Sequence, residues 1–179
     1  MASNLKPFRD YDEHDVINLF AVSGASADKG TVVAAQGNGI SLKDQTSLDN
    51  LSFAANTLSA QFNVPWTVAP AASGSTKGQV VGFLLKDVRT FDENGERLIF
   101  NPRKAAEMDV IISGQAAPIL TKGLVLVSGI NGTPAYGSGA AVADAGDGSL
   151  KVVAYASATV GKFLGPKNDE GYALLKIEL

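Results

Sequence analysis

Residues 172–179 read YALLKIEL, with Ala173, Leu175, Ile177 and Leu179 on one face of the run and Lys176 and Glu178 on the other. A period of two marks a strand with one face buried, because successive side chains of extended backbone point to opposite sides. The stretch 150–156, LKVVAYA, reads the same way, with Leu150, Val152 and Ala154 on one side behind the pair Asp147-Gly148. Further β-prone runs are TVVAA (31–35), QVVGFLL (79–85), MDVII (108–112) and LVLV (124–127). Asn94-Gly95, Asn131-Gly132 and Asp147-Gly148 are two-residue hairpin signals, since Asn, Asp and Gly tolerate the positive φ of a tight turn; Asn38-Gly39 is a fourth candidate. Short strands at this spacing predict a mainly β fold, a sandwich or small barrel, with little helix.

Two stretches depart from the strand pattern. NPRKAAEM (101–108) predicts a short helix, with Asn101 as cap and Pro102 in the first turn. In SLDNLSFAANTLSAQF (47–62), Leu48, Leu51, Ala55, Leu58 and Phe62 fit one helical face, but the Asn, Ser and Thr content opposes a helix. That segment reads either as a helix or as an irregular excursion.

The chain also repeats a phrase. Ser-Gly, Lys-Gly, Val-Gly, Phe-Leu and Asp-Glu followed by Gly occur in one order from Ser23 to Gly95, and again from Ser113 to Gly171. The shared order favours two related β units over unrelated hairpins with a common turn vocabulary. It divides the chain into an extended arm (1–15), a first unit (16–102, with an insertion at about 43–76) and a second unit (103–179), the two units packed as one body.

Composition narrows the functional classes. The chain has 179 residues, a formal charge of −3, 45% apolar and 18% charged residues, and no cysteine. An acidic balance without a basic cluster argues against binding nucleic acid through its phosphates. The lack of cysteine removes disulfides and thiolate metal sites. The first residues lack the apolar core of a signal peptide, and no apolar run reaches the ~18–20 residues needed to cross a bilayer, so synthesis in a cytoplasm and no membrane partner are expected.

The search for catalytic chemistry returns turns. His14 is the single histidine and stands between Glu13 and Asp15, which suggests a solvated segment. SGSTKG (73–78) has its lysine before the second glycine, so it misses the phosphate-loop pattern. DAGDG (144–148) lacks the spaced oxygen ligands of a calcium loop, and Asp92-Glu93 and Asp169-Glu170 sit beside turn glycines. No catalytic residue, metal site or cofactor is expected. Trp66, after Pro65, reads as a core anchor or as an exposed contact on an edge strand. The arm, NLKPFRDYDEHD, sets Phe8 and Tyr11 among both charge signs, either to lie on a partner or to cover the protein's own core edge.

An arm ending RDYDEHDVINLFA, the Lys-Gly-x-Val-Val strand, GFLLKDVRTFDENGERL, SGQAAPILTKGLV and the closing DEGYALLKIEL together resemble small virion structural proteins of tailed bacteriophages, most of all head decoration (cement) proteins. The resemblance implies a non-enzymatic, mainly β subunit, made in the host cytoplasm, that binds the outside of the expanded capsid and clamps the major capsid protein. It implies a homotrimer, in solution or only on the capsid. The arm positions that would contact the capsid are Pro7, Phe8, Arg9, Tyr11 and Asp12. Alternatives are a head fibre base or tail component, and a carbohydrate-binding β module using Trp66 or Tyr136.

Overall fold

The computed structural model describes residues 5–23, 26–35 and 67–179. In chain order the strands are β1 (Leu5–Pro7), β2 (Val16–Val22), β3 (Val32–Ala35), β4 (Thr67–Pro70), β5 (Val80–Leu84), β6 (Asp87–Arg89), β7 (Val110–Ile112), β8 (Ala116–Leu120), β9 (Lys122–Val127), β10 (Gly139–Val142), β11 (Leu150–Val153), β12 (Gly161–Phe163) and β13 (Ala173–Glu178). One short helix, α1 (Pro102–Glu107), lies between β6 and β7, and the fold is mainly β as expected.

The strands form two main bodies. Strands β2, β4, β3, β5 and β8 close a barrel in that order, antiparallel except for the β2–β4 pair. The others build a six-stranded antiparallel sheet, β1-β9-β13-β12-β10-β11, while β6 and β7 make a separate parallel pair. The chain passes from barrel to sheet at Thr121, between β8 and β9. Closing the barrel requires β8 from the later half, and the sheet takes β1 from the amino terminus.

Burial explains why β3 and β5 are apolar throughout. Val33, Val68, Leu84, Ala117 and Ile119, with Phe20 and Val22, form one buried cluster fed by all five barrel strands, which is the lumen. Their neighbours Val32, Ala34, Phe83 and Leu120 point the other way and join Val125, Phe163, Leu175 and Ile177 of the sheet in a second core. A strand buried on both faces reads as a continuous apolar run. In the sheet β13 alternates, its outer face less covered: Ala173, Leu175 and Ile177 are buried, Leu174 and Glu178 half-buried and Lys176 exposed.

Local signals fare unevenly. Asn101 caps α1 by accepting the Lys104 N–H at 3.3 Å, with Pro102 in the first turn, as its sequence predicts. Asn94-Gly95 makes a tight turn inside the Phe91–Arg97 bridge. Asp147-Gly148 lies instead in the longer loop between β10 and β11, and Asn131 forms a parallel bridge to Lys151 on β11. The Asn38-Gly39 turn, the 47–62 segment and Trp66 lie outside the described residues.

Candidate functional site

The segment read as an arm begins as an edge strand. Leu5, Lys6 and Pro7 stand opposite Val127, Leu126 and Val125 of β9, and Leu5 is buried in the shared core. Pro7 ends the pairing, which suits a residue with no N–H to donate. Phe8 and Arg9 then leave the sheet exposed, Phe8 to 55%. Beyond them, Asp12 Oδ1 accepts the His14 N–H at 2.8 Å and the Asp12 carbonyl accepts the Asp15 N–H at 3.1 Å, closing a turn. The Asp15 carbonyl receives both the N–H (2.8 Å) and the hydroxyl (3.0 Å) of Thr121, so the turn is tied to the junction between barrel and sheet.

Tyr11 points inward. Its ring packs against the shared core beside Gly123 of β9, and its hydroxyl is buried without a hydrogen-bond partner among the described residues. Burial pushes its pKa above the usual tyrosine value. Of the five residues expected at a contact, Phe8 and Arg9 are presented outward, Pro7 belongs to the sheet, Asp12 organises the turn and Tyr11 covers the core. His14 is exposed, 3.9 Å from Glu13.

The acidic pairs are engaged in turns. Asp92 Oδ1 accepts the N–H groups of Asn94 and Glu96, Glu93 pairs with Lys104 at 2.7 Å, and Glu170 faces Lys6 at 3.8 Å. In the 144–148 loop, the Lys151 ammonium holds the Asp144 carboxyl below the usual carboxylate range, and the Ser149 hydroxyl and N–H do the same to Asp147. Tyr136 is 82% exposed, in a turn closed by the Ser138 N–H on the Ala135 carbonyl. That turn is held to β12 by the Gly137 N–H on the Phe163 carbonyl and the Phe163 N–H on the Ser138 carbonyl.

A groove that the sequence reading did not single out lies beside β10 and β11. A cleft of about 410 Å³ is lined by Lys77, Lys151, Val153, Ala156, Ser157 and Thr159, among others. A second, of about 280 Å³, shares Lys77, Ala156 and Ala158 with it and continues to Tyr155 and Glu178. Glu178 accepts the Tyr155 hydroxyl at 2.7 Å and lies 3.1 Å from Lys176, contacts that keep its carboxyl below the usual range. The groove is assembled from residues roughly 75 to 100 positions apart, so no local motif announces it. The one signal in the sequence was SGSTKG, whose lysine proves to line both clefts.

No protein-family model matches the chain, and no curated protein matches it.

Proposed function

We propose that the chain is a non-enzymatic virion structural protein that binds the outer surface of an expanded phage capsid and stabilises it. The observation that carries this reading is the pair Phe8 and Arg9, exposed directly after an edge strand on a segment tied down at both ends. An aromatic and an arginine held in place cost little ordering entropy on binding and are favoured anchors in protein interfaces. An edge strand can be extended by a partner strand through main-chain hydrogen bonds. The major capsid protein is the proposed partner, with trimers formed on the lattice. A subunit that binds only the expanded shell shifts the shell toward that state, and many copies sum small free energies.

A second reading, a carbohydrate-binding β module, draws its support from the exposed ring of Tyr136, carried on a turn whose backbone is hydrogen-bonded to β12.

The test is co-sedimentation with expanded and unexpanded undecorated heads of a tailed phage that encodes the chain. Deleting the arm would strip Leu5 and Tyr11 from the core, so the informative variant is Phe8→Ser with Arg9→Glu. Saturable binding to expanded heads, lost in the double variant, is the expected result. Absence of binding to either head form would overturn the capsid reading. A glycan panel compared with Tyr136→Ala would then decide on the second.

A further inference from the structure

We propose that the groove beside β10 and β11 is a second binding site, one that takes an extended acidic segment of a partner protein. Its two clefts lie side by side and share Lys77, Ala156 and Ala158 in their linings. The apolar part of the lining is small: Ala141, Val153, Ala156 and Ala158 leave room for a peptide backbone. Ser157 and Thr159 add hydroxyls along the same wall.

Charge selects the occupant. Lys77 and Lys151 line the groove, and Lys162 and Lys176 lie 3.7 and 3.1 Å from Glu178 in the second cleft. Two carboxylates face these four ammonium groups, and both are already engaged: Asp144 by Lys151, and Glu178 by Tyr155 and Lys176. Among the described residues Lys77 has no ion-pair partner, and it stands exposed in the lining that both clefts share. In a chain with a net charge of −3, four lysines against two carboxylates thus lie in or beside the clefts, and among the described residues Lys77 is left without an ion pair. A carboxylate of a bound strand would pair with Lys77 while its apolar neighbours cover the alanine and valine floor. Such a groove would serve a capsid-bound subunit or a binding module of another kind equally.

The probe is a fluorescein-labelled octapeptide of alternating glutamate and valine, read by fluorescence anisotropy with the full chain at low salt. Saturable binding is expected, weakened at least tenfold by Lys77→Glu and by Ala156→Trp, which adds bulk to the lining that both clefts share. Both positions are exposed, and an unchanged thermal midpoint establishes that each variant is folded. The lysine–valine counterpart should not bind. Failure of the acidic peptide to bind, equal binding of the basic peptide, or indifference to both substitutions would overturn the proposal. So would displacement of the peptide by millimolar inorganic phosphate, which would assign the groove to small anions.

Discussion

The repeated phrase places two similar stretches in different surroundings. Val81-Gly82-Phe83-Leu84 runs through β5 of the barrel, and Val160-Gly161-Lys162-Phe163-Leu164 runs through β12 of the sheet. In the first copy Phe83 enters the shared core and Leu84 the barrel lumen, so both faces are buried. In the second, Phe163 enters the same core while Lys162 faces outward beside Glu178. Neighbours differ too: β5 pairs directly with β3, the strand after the first Lys-Gly, whereas β12 is separated from β9, the strand of the second Lys-Gly, by β13. The phrase therefore encodes a strand and a glycine notch, and the sheet around it decides how many faces are covered.

The sharpest test of the shared core is truncation of its two phenylalanines. Phe83 and Phe163 are each fully buried, and Phe83→Ala or Phe163→Ala should cost about 3–5 kcal/mol. Both losses should appear in one cooperative denaturant transition, because the two side chains belong to one cluster. Two separate transitions, one lowered by each variant, would show that barrel and sheet unfold independently and break the comparison.

The glycines come next. A methyl at Gly82 would overlap the Leu120 carbonyl, and one at Gly161 the Lys176 carbonyl. Neither glycine has a positive φ, so what each supplies is space for a neighbouring strand. Gly82→Ala and Gly161→Ala should each destabilise by about 3 kcal/mol, since backbone must move to admit the methyl. Gly165→Ala, four residues beyond Gly161 and open on all sides, should change the urea midpoint by less than about 0.5 kcal/mol in free energy. A large loss at only one of the two notches would show that the phrase is shared in letters alone.

These contrasts also mark how far the sequence could be read. The period of two in residues 173–178 and the asparagine cap of α1 are local, and both were legible. The runs VVAA and VVGFL announced buried strands, but nothing in them says that one face lines a lumen and the other packs on a sheet. That follows from barrel closure by β8, more than thirty positions beyond β5. Bulges hide the pattern further: register shifts in β3–β5 put Val80 and Phe83 in the same cluster despite their odd spacing. In the arm, a Phe and a Tyr three residues apart gave equal grounds for a partner contact or for self-packing. Only the position of Gly123 beneath the Tyr11 ring separates their surroundings.

The outward face of the second copy is ionic, and Glu178 makes it pH-sensitive. The Tyr155 hydroxyl and then the Lys176 ammonium lower the Glu178 pKa. A depressed carboxyl contributes stability that is complete above its unfolded pKa and disappears as pH falls through its folded pKa. Wild type should therefore exceed Glu178→Gln in urea midpoint near neutral pH, and the gap should close as pH drops below about 4. Lys162→Leu should move the neutral midpoint by no more than about 1 kcal/mol, as a partly solvated pair 3.7 Å apart is worth little. A gap that persists at low pH would assign the role of Glu178 to packing.

Tyr11→Phe has a small effect and bears on both the fold and the contact. Its ring covers the glycine of the second Lys-Gly, Gly123, while the first, Gly30, lies in a turn whose N–H reaches the Leu84 carbonyl at 2.8 Å. The Tyr11 hydroxyl is buried without a partner among the described residues, a cost the ring's packing must offset. Tyr11→Phe keeps the ring and removes the stranded hydroxyl, so it should raise stability by about 1 kcal/mol. Tyr11→Ala should instead lower it by about 2–4 kcal/mol, through loss of the packed ring. If Phe8 and Arg9 make the capsid contact, Tyr11→Phe should bind expanded heads as wild type does. A Tyr11→Phe variant that is less stable would place a hydrogen-bond partner on the hydroxyl, and one that is stable but fails to bind would move the contact inward from Phe8 to Tyr11.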